Sequence, residues 1–548
     1  MKRPLIYAIA VGAWLLFGVA AAHEDDDAPQ GKPPEKLGTV DFKVSCTPQA
    51  QQRFNRAMAL FHSFWFDPAK RAFAEVLAAD PGCAMAHWGI AMMSMGNPFA
   101  WPVPPAAMKV AAAALAEAQR VGARSERERD YIAALAEFLR DWETVDHRTR
   151  VVAFEQAMAG VAARHANDDE AQILYALVLN AAAVPTDKTF AKQLKAADIL
   201  EPLFRKYPDH PGVTHYLIHT YDYAELAERG LPAARLYASI APSVPHALHM
   251  PSHIFSRVGL WHELIDGNRL SYSAAKNELK DSTLGVGAYD ALHAMDYMVF
   301  GHLQLAQDRA ARALLEEALA IRKVNVENFP AAYALAAIPA RYALERGDWA
   351  QAAALQLSPP DLAWNRFPHA ESILVFARAL GAARNGDAAA ARRDLARLEA
   401  LKEQLLGAKN AYWAGQTAFQ ITAVQAWVAL AEGRGEDALR LMQLAAEQEE
   451  ASDKHPVTPG SIVPCRELLG ELLAMRGQPA QALAEFERSL GRDPNRLRAL
   501  YGAARAAELA GDQARARSYY EKLETLTATR DSDRPELQRA RAYRAARS

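Results

Sequence analysis

Residues 470–520 read GELLAMRGQPAQALAEFERSLGRDPNRLRALYGAARAAELAGDQARARSYY. Gly470, Gly477, Ala482 and Phe486 return 34 residues later as Ala504, Gly511, Ala516 and Tyr520. A turn glycine flanked by two stretches with apolar residues at helical spacing is the pattern of two amphipathic helices joined by a tight turn. Small residues let the two helix axes approach, and the aromatic on the second helix fills the space left beside them. Two copies in register predict stacked hairpins, because one such hairpin cannot bury its apolar face alone.

With Pro494 closing the unit, this pattern resembles the tetratricopeptide repeat. The resemblance implies an all-α, right-handed α-solenoid of helix-turn-helix repeats. Outward from the regular pair, Leu344–Leu355, Leu380–Ala391 and Leu430–Leu441 carry the same turn followed by an alanine-rich second helix, as degenerate units. Near the amino terminus Ala57, Phe73 and Pro81 fit the same frame. Alternating Val/Ile/Thr-rich runs are nearly absent; Thr39–Val44 is the single strand-like stretch. The run NPFAWPVPP, 97–105, interrupts the pattern as a loop carrying Phe99 and Trp101, which either rim a groove or pack on the first repeats.

The chain has 548 residues, a length suited to an elongated repeat protein. Lys2 and Arg3, an apolar run from Leu5 to Val19 and Ala20–Ala22 have the layout of a cleavable secretory signal, which predicts a periplasmic or secreted protein without a membrane span after cleavage. The expected organisation is a signal over 1–22, a flexible acidic and Pro-rich leader over 23–45, tetratricopeptide-like repeats over 46–205, a central group over 206–330, degenerate repeats over 331–465, two regular repeats over 466–530 and a tail over 531–548. Cys46 and Cys83 precede the first helices of successive units, and export predicts their pairing, with Cys465 left over. Loss of Lys2 and Arg3 takes the formal net charge of −3 two units further negative, which argues against nucleic acid as a partner.

Eight of sixteen histidines fall between His215 and His302, six of them in the phrases HYLIHTYD (215–222), PHALHMPSH (245–253) and ALHAMD (291–296). Helical spacing puts His215, His219 and Asp222 on one face, His246, His249 and His253 on another, and His293 with Asp296 on a third. With Gly259 as a repeat turn, these faces belong to the first helices of three successive units, which in tetratricopeptide repeats line the concave groove. Neutral imidazoles converging from neighbouring helices suit a transition metal, copper or zinc first and iron next, held singly or as a pair; calcium and magnesium want mostly oxygen. The expected ligands are therefore His215, His219, Asp222, His246, His249, His253 and His293, with Asp222 or Asp296 alternatively orienting a ligand ring from behind. Pro251 bends or restarts its helix within the second phrase. Proton competition predicts metal affinity that falls below about pH 6.

The phrase from Pro211 to Asn268 resembles a bacterial family of exported tetratricopeptide-like proteins with a histidine-rich centre. That resemblance implies architecture and no chemistry. Motifs for serine hydrolases, phosphate-binding loops, dinucleotide folds and HExxH proteases are absent, and no residue is singled out as catalytic. Two functions follow: a metalloenzyme, possible as an oxidase, or metal-handling protein, and alternatively a scaffold whose groove takes a peptide, a small molecule or a partner protein. His62, His87 and His302 stand apart as core or solvated rings, and Met85, Met92, Met93 and Met95 as core filler.

Overall fold

The turn glycines of the repeat frame all take left-handed backbone. Gly347, Gly386, Gly433, Gly477 and Gly511 have φ between 64° and 85°, a region that costs other residues energy, and each breaks a helix and starts the next. The computed structural model describes residues 35–279 and 286–546. Among them are twenty-six α-helices, arranged as successive antiparallel pairs from Pro48–His62 with Phe66–Ala79 to Leu497–Leu509 with Gln513–Leu526. The chain is an all-α solenoid of tetratricopeptide-like repeats. No described helix is long and apolar enough to cross a membrane.

Most first helices of consecutive pairs touch, as the frame requires, but the coil also closes on itself. Pro48–His62, of the first pair, meets Pro211–Tyr221, of the fifth; Tyr289–Gln304, of the seventh, meets Leu497–Leu509, of the twelfth. Gly259 marks a second closure: a Cβ there would lie 2.4 Å from the Pro494 carbonyl oxygen, and the neighbouring Trp261 indole donates to the Asn495 carbonyl at 2.8 Å. Tight winding buries the inner surface. All eleven residues of Pro211–Tyr221 are buried, so the expected open groove is instead an interior.

A segment between Gly435–Glu450 and Cys465–Met475 fills part of that interior. Tyr297 Oη donates to the Pro456 carbonyl at 3.0 Å, and Arg341 donates to the carbonyls of Ser461 and Gly460 and, at 2.5 Å, to Thr458 Oγ1. This strap, 451–464, carries no repeat signature, so the degenerate repeats expected over 331–465 end before it.

Three expectations change. Thr39–Val44 is no strand, because no strand among the described residues pairs with it; Phe42 packs instead against Phe54 and Tyr131, with ring centroids 5.4 and 5.3 Å away. Residues 36–45 of the supposed flexible leader are therefore fixed, with Leu37, Val40 and Phe42 buried and Thr39 N–H donating to the Asp209 carbonyl. The rest of the leader before residue 35 and the signal over 1–22 lie outside the described residues. The tail contains a helix, Pro535–Ala545, whose Leu537, Ala540 and Tyr543 are buried, and Arg534 before it clamps Asp308. The only described strands are two-residue partners, Val286–Gly287 and Lys323–Val324.

Cys46 and Cys83 form a disulfide closing a separation of 37 residues, and Cys465 is free and buried. Restricting the unfolded chain over such a loop contributes about 2–4 kcal/mol. Cys46→Ser is expected to lower unfolding free energy by that amount in urea titration; a change below about 0.5 kcal/mol contradicts the assignment.

Candidate metal centre

Four helices bring the six histidines together. His215 and His219 stand one turn apart on Pro211–Tyr221. The second phrase is split into Pro245–His249 and Pro251–Val258, with Pro251 opening the second piece; His293 lies on Tyr289–Gln304. The six rings form two triads, His215/His219/His246 and His249/His253/His293, in each of which one ligand atom per residue lies within 4.8 Å of the others. The triads adjoin: ring centroids of His219 and His253 are 5.8 Å apart, those of His246 and His249 6.1 Å.

Hydrogen bonds settle which nitrogens carry protons. His249 Nδ1 faces Asn268 Oδ1 at 2.7 Å, and the Asn268 amide nitrogen donates to the Leu264 carbonyl, which fixes its oxygen toward the histidine. His253 Nδ1 faces Asp222 Oδ2 at 2.9 Å, and His215 Nδ1 the His62 carbonyl at 2.7 Å. All three partners only accept, so each Nδ1 donates and each neutral ring leaves Nε2 bare. Yet His249 Nε2 and His253 Nε2 are 3.1 Å apart, and His215 Nε2 lies 3.2 Å from Nε2 of both His219 and His246. A separation of 3.1–3.2 Å suits an N–H···N hydrogen bond, which His219 and His246 can donate to His215 but which the two rings His249 and His253, both protonated on Nδ1, cannot donate to each other; nitrogens about 2.0–2.1 Å from one tetrahedral ion would stand about 3.3 Å apart.

Burial first, and neighbouring rings second, hold His215, His219, His246, His249 and His293 well below the usual imidazole pKa. His253 is lowered by burial too, against the pull of Asp222. The rings therefore stay neutral to more acid pH than ordinary imidazoles do.

Asp222 lies outside both triads. Its carboxylate accepts from His253, from Arg257 Nε at 2.8 Å and from Lys454 Nζ at 3.0 Å. Burial would raise this carboxyl, but Lys454, Arg257 and His253 outweigh it and hold it well below the usual range. Asp222 thus orients the His253 ring, the second of the two roles open to it from sequence. Asp296 does neither: it is buried against Arg341, whose Nε donates to it at 2.7 Å.

His62 belongs to a separate group with Glu170 and His210 that shows what a closed arrangement looks like. His210 Nδ1 accepts from the Val213 N–H, so its Nε2 donates to Glu170 at 3.0 Å; His62 Nε2 meets the same carboxylate at 3.1 Å and its Nδ1 meets Tyr216 Oη at 2.9 Å. Every nitrogen has a compatible partner without a cation. This group supports the first triad from behind, through the His62 carbonyl. His302 pairs with Gln307, and His87 lies away from the cluster, half-buried.

Aromatic rings wall the site. Phe99, in the loop that interrupts the repeats, stacks on His219 at 3.8 Å, and Phe64 lies 4.5 Å from His215 and 5.8 Å from His246. Tyr297 covers the other triad, 4.6 Å from His249. Phe64 adopts φ 54°, strained for a bulky residue, and also borders an apolar cleft with Phe61, Met92, Met93, Trp101 and Leu177. Tyr221 donates to Glu201 and takes no part. Asn268, Lys454, Arg257 and Phe64 were missed from sequence, since none repeats at the spacing that marks the histidines.

The site and fold define a helical-repeat protein with six converging imidazoles. No protein-family model and no curated protein matches the chain. Among solved structures it is similar to the human IFIT1 dimer with PPP-AAAA, at 12% identity over 89% of this chain and 96% of that one, with a TM-score of 0.36. The P58(IPK) TPR domain matches at 11% identity over 91% and 99% with a TM-score of 0.19, and Naa15/Naa10 bound to HypK-THB at 13% over 91% and 72% with a TM-score of 0.21.

Proposed function

We propose that the interior cluster holds two adjacent transition-metal ions, three imidazoles to each, and that the pair works as a metalloenzyme of oxidase type. The observation that carries this reading is the 3.1 Å approach of two bare Nε2 atoms, His249 and His253, whose Nδ1 protons are both committed elsewhere. Two lone pairs held face to face in a buried site repel unless a cation lies between them.

Copper is the favoured metal. The donor set is wholly imidazole, with no carboxylate or thiolate among the converging described residues, and copper(II) stands highest among divalent first-row ions for such nitrogen donors. Three protein ligands leave a coordination position open, as catalytic sites do, where a structural site would close it with a fourth. The Cys46–Cys83 disulfide supports an exported location in an oxidising compartment. A peptide-binding scaffold has less support, because the strap and the closed winding occupy the surface an extended peptide would use.

Tag-free protein from copper-replete cells is expected to contain about two metal ions per chain by elemental analysis, and His249→Ala with His215→Ala to contain almost none. Wild-type protein with less than about 0.2 ion per chain after copper reconstitution overturns the reading.

A further inference from the structure

Resting on the two-ion reading, we infer that the two sites are unequal: the His249/His253/His293 triad is the tight site and fills first, and the His215/His219/His246 triad holds a weaker, exchangeable ion. The difference lies behind the ligands. In the first-filling triad two of three rings are anchored through Nδ1, His249 by Asn268 and His253 by the ionised Asp222. Asn268 is itself held by the Leu264 carbonyl, and Asp222 by Arg257 and Lys454, so both anchors are fixed before metal arrives.

The other triad has one anchored ring, His215, and its anchor is an uncharged carbonyl. His219 Nδ1 is buried with no hydrogen-bond partner, so no group behind this ring fixes it, and it is aligned by stacking on Phe99 and by its contact with His215. A ligand ring without a partner keeps freedom that metal binding must remove, and its donor nitrogen is less basic than one backed by a carboxylate. Removal of one such partner typically lowers metal affinity 10–100-fold, so a difference of one partner, with a charged anchor on the better-held side, predicts at least a tenfold gap between the sites.

The weaker ion is also the one beside the apolar cleft. Phe64 lines that cleft and packs against His215 and His246, so this one ring separates the cleft from the ion whose coordination is the more easily rearranged.

The test is a titration of metal-free, full-length protein with Co²⁺, read by the visible absorption of the bound ion, in wild type and in variants of the two half-buried ligands. Wild type is expected to fill in two steps. His246→Ala should retain one ion at the affinity of the first step, and His293→Ala one ion at least tenfold weaker. Asp222→Asn should weaken the first step 10–100-fold and shift its absorption band while leaving the second in place; should that variant fail to fold, Asn268→Ser carries the same expectation. Equal affinities in the His246→Ala and His293→Ala variants, or the reverse order, overturn the inference while leaving the two-ion reading intact. No Co²⁺ or Cu²⁺ binding by wild type overturns both.

Discussion

Titrated down from neutral pH, the metal-free protein unfolds with a midpoint between about pH 5.5 and 4. His215, His219, His249 and His253 are each no more than 5% exposed, and burial lowers the pKa of all four in the folded state. Above about pH 6.5 the rings are neutral whether the chain is folded or not, and they add no pH dependence. Below it the unfolded chain takes up protons that the folded chain refuses, so stability falls with pH, by as much as about 1.4 kcal/mol per pH unit for each ring. Four rings together remove about 5 kcal/mol per unit, set against a total of about 5–15 kcal/mol. Half-buried His455 and His369, lowered by desolvation to about 3 and about 4, act in the same direction. Metal bound to the folded state alone opposes this, by about 4 kcal/mol for an ion present at a thousand times its dissociation constant, and moves the midpoint down by about one pH unit. Circular dichroism at 222 nm followed against pH, with and without copper, checks both. A metal-free protein that stays folded at pH 4, or identical curves with and without metal, contradicts the account.

Arg341→Met is expected to lower stability by about 3–5 kcal/mol, the usual cost of leaving one half of a buried ion pair behind. Arg341 is fully buried, and it meets Asp296 while also donating to Thr458, Gly460 and Ser461 of the strap. Its loss strands the Asp296 carboxylate and releases the strap that carries Lys454 to Asp222. Asp296→Asn added to Arg341→Met should recover part of the loss, since no charge is then left unpaired. Urea unfolding measures each step. A single-variant loss below about 1 kcal/mol, or no recovery in the double variant, contradicts the role given to the pair.

The parts of the fold legible in sequence were those in which a residue answers to its near neighbours. Gly477 and Gly511 announced their turns because left-handed backbone selects glycine locally, and the histidines announced a shared face because helical spacing is a local rule. Thr39–Val44 misled for the same reason: its alternation is local, but a strand needs a partner and none is there. The strap was illegible, since Thr458 and Gly460 take their positions from Arg341, more than a hundred residues away in the chain. Asp222 occupied the spacing of a ligand; only Arg257 and Lys454, whose contacts no period reveals, turn it into an orienting group. Asn268 looked like an unremarkable helix residue, and its role rests on a single tertiary hydrogen bond to His249.

Open repeat arrays gain and lose units readily, because each unit answers only to the next. The contact between Pro48–His62 and Pro211–Tyr221 removes that freedom. The carbonyl that orients His215 arrives from a helix at the far end of a closed ring of units, so the number of units in between is as much a part of the histidine cluster as the imidazoles. Duplication or deletion of any one of them would bring a different carbonyl, or none, to His215. In this stretch the chain has traded modular growth for a fixed circumference.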